Sequence, residues 1–380
     1  MKAVIAIDSF KGSLSTFESG AAVAEAVRSV YPEAEVKICP LADGGEGTVE
    51  AIAAAAGGII CATRVTGPLG ENIRAEYGII PERKTAIIEM SAAAGITLVP
   101  SERRNPLNTT TYGVGELIAH AIQSGCRKFI IGIGGSATND GGIGMLTALG
   151  FKFLDSMGAP VPQGAEGLSV LKKIIYEDTL PELSECEFHI ACDVKNPLCG
   201  EHGCSAVYGP QKGATPEMIK NMNAWLARYA ALTRELFPDA DEDYPGAGAA
   251  GGLGFALRSY LGASLEPGIE LVMRETGLSE YIKDADIVIT GEGRLDGQSC
   301  MGKAPVGVAR EAKKYGKTVV AFSGCVGDGA EECNSHGIDA FFPILRVPCS
   351  LDEAMNIDTA YKNLRDTAEQ VFRLIKVSNL

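Results

Sequence analysis

Residues 129–145 read FIIGIGGSATNDGGIGM, and the way this stretch is parsed decides the fold. Phe129 to Ile133 is an apolar run rich in β-branched residues with no polar alternation, the pattern of a strand buried on both faces of a parallel sheet. It gives way to Gly134-Gly135-Ser136-Ala137-Thr138-Asn139-Asp140-Gly141-Gly142, a turn rich in backbone amides and hydroxyls, with one carboxylate and little side-chain bulk. Glycine permits positive φ and close backbone approach, and successive amides can form an anion-binding concavity. The stretch is therefore expected to be a phosphate- or nucleotide-handling loop at a strand C-terminus. Its plain alternative is a tight strand–turn–helix connection in which Asn139 and Asp140 only cap a helix. A second copy of the pattern, Asp43-Gly44-Gly45-Glu46-Gly47, also stands between an expected strand and helix, and favours the loop reading.

Outward from this stretch, both ends of the chain alternate strand and helix. Val4–Ile7 reads as a strand, and Ser15 with Glu18 three residues on has the spacing of a capping box opening a helix that runs to Pro32. Glu35–Cys39 is the next strand and Gly47–Ala56 the next helix, the β-α-β-α opening of a doubly wound sheet. The rhythm then changes: Ile59–Val65, Ile73–Ile80 and Thr85–Met90 are strand-like runs joined by turns, as in an antiparallel insertion. A short helix is expected over Met145–Leu149, a strand over Phe188–Val194 and a long helix capped by Thr215 over Thr215–Leu236. Tyr244–Gly254, rich in Gly and Ala, reads as a loop or the close-packed start of a helix reaching Tyr260. Alternation resumes with strands Ile287–Thr290, Thr318–Ser323 and Asp339–Ile344 and helices Pro305–Tyr315 and Asp358–Ile375. The expected class is α/β: a Rossmann-like doubly wound domain built from both chain ends (1–60 plus 283–380), with an inserted mixed α/β domain (61–282).

Bulk composition narrows the function classes. A net charge of −14 over 380 residues, with no basic run, argues against nucleic-acid binding. No apolar stretch approaches the ~18 residues of a membrane span. The Met1–Ile7 run is cut short by Asp8 and reads as a strand, not a signal segment. Eleven cysteines at scattered spacings are expected to be reduced thiols, which places the chain in the cytoplasm.

Four loops carrying carboxylates follow expected strands: Asp8–Ser13, Asp43–Thr48, Gly134–Gly142 and Gly291–Lys303. Ligands of doubly wound sheets bind beyond the carboxyl ends of strands. Carboxylates beside glycines and hydroxyls in all four loops suit Mg²⁺ with phosphate, since Mg²⁺ is typically held by one or two carboxylates plus phosphates and waters. Gly297-x-x-x-x-Gly302-Lys303 has Walker A spacing, but Ala304 stands where a Ser or Thr would hold Mg²⁺. Lys303 precedes a helix opened by Pro305 and is placed for an anionic group. Arg294 can fork onto a carboxylate or phosphate, or pair with Asp296 or Glu292. Gly132-x-Gly134-x-x-Ala137 mimics a dinucleotide fingerprint, the motif of an NAD-dependent hydroxy-acid dehydrogenase, but five residues delay the helix that should meet the pyrophosphate. Asp193-x-x-Asn196-Pro197 offers a carboxylate that could take a hydroxyl proton, or an Asx turn before Pro197. The Cys199, His202, Cys204 cluster lacks a fourth ligand for tetrahedral zinc.

Taken in order, Ile7-Asp8-Ser9-Phe10-Lys11-Gly12-Ser13, Ala42-Asp43-Gly44-Gly45-Glu46-Gly47, Gly134–Gly142, Cys192-Asp193-Val194-x-Asn196-Pro197-Leu198, Gly209-Pro210-Gln211-Lys212-Gly213-Ala214 and Thr290–Asp296 resemble the bacterial glycerate kinase family of the two-domain, type-1 kind. The resemblance covers nearly the whole chain. It implies ATP- and Mg²⁺-dependent phosphorylation of D-glycerate, usually at the 2-hydroxyl, with a site in an interdomain cleft; a 3-phosphoglycerate product is the alternative. On the chemistry of the loops, Asp43 and Asp296 are expected to hold Mg²⁺. Gly134, Gly135, Ser136 and Asn139 are expected to cradle nucleotide phosphates. Lys11 and Lys303 would neutralise charge on the transferred phosphoryl group. Arg294 would bind the glycerate carboxylate with Asp8, Ser9 and Asn196 as further substrate contacts, and Asp193 would accept the hydroxyl proton.

Overall fold

The computed structural model describes residues 1–378. It divides into two compact units: 1–43, 50–56 and the chain from 269 onward form the first, and 44–49 with 57–268 the second. In chain order the strands are β1 (Lys2–Ile7) and β2 (Glu35–Ile38), then β3 (Ile59–Thr66), β4 (Asn72–Ile80), β5 (Thr85–Glu89), β6 (Lys128–Gly132), β7 (Lys152–Leu154), β8 (Lys173–Ile175), β9 (Glu187–Ala191) and β10 (Ser264–Glu266), and last β11 (Ile287–Leu295), β12 (Thr318–Val326) and β13 (Ala340–Pro343).

The first unit is an all-parallel sheet in the order β13-β12-β11-β1-β2. Every residue of β1 from Ala3 to Ile7 is buried, which is why the strand reads as a continuous apolar run. Ala3, Ile5 and Ile7 join Ile289 and Phe322 in a core closed by the helices Thr16–Val30 and Ile357–Ser378, through Val23, Val27, Leu364 and Phe372. The first of those helices opens with the expected capping box: Glu18 N–H donates to Ser15 Oγ (3.2 Å) and Ser15 N–H to Glu18 Oε2 (2.8 Å). Numbered by appearance within this unit the strands lie 2-1-3-4-5, so the connections leave β1 and β11 toward opposite edges. The crevice between those two strands is the topological switch point, where doubly wound folds bind ligands.

The second unit holds a six-stranded mixed sheet, β10-β9-β6-β5-β4-β3, in which β3–β4 and β4–β5 run antiparallel and the rest parallel, and a separate β7–β8 pair. Its core gathers Phe129, Ile131, Phe188, Ile190, Leu226, Tyr229 and Phe255.

Three boundaries differ from expectation. The strand expected over Phe188–Val194 ends at Ala191 and leaves Asp193 and Asn196 in coil. The helix expected from Met145 begins at Ile143, directly after Gly142, which takes a left-handed conformation (φ 79°). β11 does not stop at Thr290 but runs through Gly291-Glu292-Gly293-Arg294-Leu295, paired with β12 as far as Leu295↔Val326. Glycine-rich sequence is a poor strand former, but pairing to a neighbouring strand overrides that propensity.

Candidate active site

At the switch point of the first unit, β1 delivers Asp8 and β11 delivers Glu292. Asp8 N–H donates to Gly291 O (3.0 Å), continuing the ladder one residue past the strand, and its Oδ1 accepts from Ser9 N–H (2.7 Å). The side chain is 3% exposed. Burial, and after it the Asp43 carboxylate, pushes the Asp8 carboxyl up to about 7. Glu292 is likewise buried and accepts from Ser299 Oγ. Its carboxyl lies above the ordinary range, chiefly through burial, against the pull of the Ser299 bond and the Lys303 charge. Asp43 pairs with Lys11 (Nζ to Oδ2, 3.6 Å), and that carboxylate holds the Lys11 ammonium above its usual range. Lys303 is the N-cap of the helix Ala304–Lys314.

These groups border one cavity of about 340 Å³, lined by Asp8, Ser9, Lys11, Asp43, Glu292, Arg294 and Lys303 among others. Six of those seven were singled out from sequence; Glu292 was not, because two glycines hide it inside a strand that the pattern ends early. Asp296 does not line the cavity. Its carboxylate is engaged by Arg294 Nε (3.0 Å) and by Gln298 N–H (2.9 Å), so Arg294 has the internal partner that was the alternative reading of its sequence position.

In the second unit the chain leaves β6 through the opening stretch. A Cβ on Gly132 would lie 2.2 Å from Gly44 O, so the Asp-Gly-Gly segment following Asp43 crosses the end of β6 only because that residue is glycine. Gly134 and Gly135 are exposed, and Gly135 has φ 72°. From Ser136 to Asp140 every residue is buried. Ile96 N–H donates to Gly135 O (2.8 Å) and Ala137 N–H to Ala94 O (2.9 Å), fixing the loop to the segment after β5. The Gly/Ala-rich stretch passes beneath it: Gly141 N–H donates to Gly251 O (2.9 Å), and a Cβ on Gly251 would meet Thr138 O at 2.1 Å.

Two of the expected site residues have partners within this unit. Asn139 is fully buried and donates from Nδ2 to Ser205 Oγ (2.8 Å), while its Oδ1 has no hydrogen-bond partner. Asn196 donates to His202 O (2.9 Å) and accepts from Tyr208 Oη (2.6 Å), bonds that tie its own loop together. Asp193 is exposed, and its Oδ1 accepts from Gly268 N–H (2.9 Å) at the start of the helix Gly268–Thr276.

Sequence reasoning gave no role to Lys212. It is 2% exposed, and its ammonium donates to Ser136 Oγ (2.8 Å) and Thr138 O (2.6 Å), a buried cation held by the loop after β6. Burial pulls its pKa down to about 8, against the opposing pull of Cys204 and Asp140. A lysine in a Gly-Pro-Gln-Lys-Gly turn looks like a solvated surface residue; only its place in the Gly209–Ala214 stretch of the family resemblance marks it. Because the native ammonium loses its proton near 8 and an unfolded lysine near 10.4, the native state binds fewer protons between those values and gains stability as pH rises. Urea unfolding of wild type and Lys212→Met at pH 7.5, 9 and 10 checks this: wild type should gain on the variant by about 2 kcal/mol across that window. Parallel pH profiles would show that the ammonium is not desolvated as described.

With this geometry in hand, comparison with known proteins is decisive. The model of the glycerate kinase family matches residues 3–376. The chain belongs to the glycerate kinase family. Among its relatives are a glycerate kinase of Haemophilus influenzae, 47% identical over 375 residues covering 99% of each chain, and a glycerate 2-kinase of Escherichia coli K12, 48% identical over 372 residues covering 97% of this chain and 98% of the relative. A crystal structure named for a glycerate kinase 2 from Salmonella typhimurium LT2 superposes with a TM-score of 0.91 at 46% identity, covering 100% of this chain and 99% of that one. The α/β class is thereby shown, and this glycerate kinase family member is a phosphotransferase acting on a small molecule. The dehydrogenase alternative falls with it, and the loop agrees: after Gly134 the next helix begins only at Ile143. Among the described residues no helix is long and apolar enough to cross a membrane.

Proposed function

We propose that the chain transfers a phosphoryl group from ATP to D-glycerate with Mg²⁺, at the 2-hydroxyl. The observation that carries this reading is the convergence of Asp8, Asp43 and Glu292 with Lys11 and Lys303 on one cavity at the switch point. Phosphoryl transfer is catalysed mainly by positioning and by neutralising charge on the transferred group. Within the second unit, the exposed Gly134–Gly135 turn is proposed as an anion-binding loop and Asp193 as a group that takes a hydroxyl proton.

Among the described residues no group of three or more potential ligands stands ready-made for a metal. The donor chemistry nonetheless fits Mg²⁺: the candidates are all hard oxygens, and Mg²⁺ commonly takes only one or two carboxylates, completing its shell with phosphate and water. Asp43, with Asp8 or Glu292, would hold the ion; Asp296, paired with Arg294, keeps lone pairs that could join them. When bound, Mg²⁺ would neutralise the phosphate oxygens. Lys11 and Lys303 would bind and orient those oxygens, and the burial of Asp8 and Glu292 would exclude water from around their carboxyl groups.

The product position follows the Escherichia coli relative named a glycerate 2-kinase. Incubation with Mg·ATP and D-glycerate, read by phosphorus NMR, should give 2-phosphoglycerate. A 3-phosphoglycerate signal would overturn the regiochemistry alone; no phosphorylated product from any donor would overturn the reading.

A further inference from the structure

The cavity of the first unit is lined by two chemically different sets of residues. One is Asp8, Asp43, Glu292, Lys11 and Lys303. The other is Ile344 and Leu345, just past β13, with Leu351, Ala354 and Met355 of the helix Leu351–Met355. Leu345 is 41% and Leu351 75% exposed, unusually open for leucines at the mouth of a pocket. At about 340 Å³ the space falls in the range of roughly 300–1,000 Å³ that holds drug-sized ligands, far beyond a three-carbon acid.

The proposed reactants contain little that such a wall can recognise. Every carbon of glycerate bears oxygen, and Mg²⁺ and phosphate are wholly polar, so burying them against leucine and methionine would forfeit hydration without return. The base of the nucleotide is the exception: a flat ring system with apolar faces and a polar edge, gaining by burial against aliphatic carbon. Asn363, in the helix Ile357–Ser378, also lines the cavity and supplies an amide able both to donate and to accept toward such an edge.

We propose that the aliphatic lining of this cavity is the nucleobase subsite, with the base held against Leu345, Leu351 and Met355 and the phosphates directed to Lys11 and Lys303. The first unit then carries the nucleotide whole. This deepens the proposed function and rests on its reading that a nucleotide is the donor.

The test uses the full-length chain and Leu351→Ser combined with Met355→Ser. Neither residue is buried, so the fold should hold, with an unchanged melting temperature as the check. Titration calorimetry should show binding of a non-hydrolysable ATP analogue with Mg²⁺ weakened about tenfold in the double variant, and binding of inorganic tripolyphosphate unchanged. The KM for ATP should rise by the same factor with that for D-glycerate unaltered. Equal affinity of both proteins for the analogue would overturn the subsite. So would a parallel loss for tripolyphosphate, which would mean that the whole cavity had been disturbed. A wild-type chain that binds no nucleotide at all would instead sink the donor reading itself.

Discussion

Asp8→Asn should leave an enzyme that is more stable and nearly inactive. In wild type without divalent cations, the Asp8 carboxyl is pushed up to about 7 by burial and by Asp43, so at pH 8 the folded state carries a carboxylate charge that it disfavours. The sign is fixed by proton counting. Between about 4 and 7 the native state holds a proton that the unfolded chain has released, so stability falls as pH rises through that window. The full penalty, on the order of 4 kcal/mol, is present at pH 8 and absent at pH 4. Asparagine removes it, since its amide stays neutral and keeps an oxygen for the Ser9 N–H bond. Thermal unfolding in a chelator should therefore show the variant melting about 5 °C or more above wild type at pH 8 and level with it near pH 4. Mg²⁺ should close part of the gap by raising the wild-type curve, because a cation favours the ionised carboxyl. Turnover should drop roughly 100-fold or more, through the loss of a charge that binds the metal and orients the reactants. Equal melting temperatures at both pH values would remove Asp8 from its strained position.

Asp140→Asn should do the opposite and damage the fold. The carboxylate is fully buried. Its Oδ2 accepts from Thr111 N–H (2.9 Å), Thr111 Oγ (2.9 Å) and Gly144 N–H (3.4 Å), while Oδ1 accepts from Gly142 N–H (3.0 Å). All of these partners are donors. An asparagine keeps one acceptor oxygen, and in either orientation its NH₂ is aimed at a donor. Losing a bond of this kind and burying an unpaired group costs about 3 kcal/mol. Lowered urea midpoints, with faster hydrogen exchange through residues 134–144, are the expected readouts. A midpoint matching wild type would show that the four bonds are dispensable. Burial raises the Asp140 carboxyl while these bonds lower it, which is why the pairing and not the charge alone makes the residue irreplaceable.

The two predictions mark the division between what the sequence reveals and what it hides. Asp8, Lys11, Asp43 and Lys303 are legible because each follows an apolar run or opens a helix, and strand ends are where doubly wound folds place their chemistry. The Ser15–Glu18 box is legible because capping is local. Glu292 is not, since its place in β11 depends on pairing with β12, a partner more than 20 residues away in the chain. Asn139 shares its turn with exposed glycines, yet its side chain is taken into the core by Ser205, 66 residues on. Arg294 lines the cavity and also pairs with Asp296 at 3.0 Å, a contact that its sequence position offers only as one of two partners. Lys212 shows the same limit from the other side: burial of a lysine is a tertiary fact, invisible to composition and periodicity.

The pairing of β1 with β11 has a consequence for the order of events during synthesis. Ile7 lies beside Gly291, and Glu292 shares the cavity with Asp8, so the amino-terminal strands cannot acquire their central neighbour until nearly three hundred residues have been made. Residues 57–268 form one uninterrupted stretch with their own core and can condense while that partner is still missing. The carboxylate pocket thus belongs to the last part of the molecule to form, and a nascent chain halted between residue 268 and β11 has a finished insert but no carboxylate cavity to hold a metal.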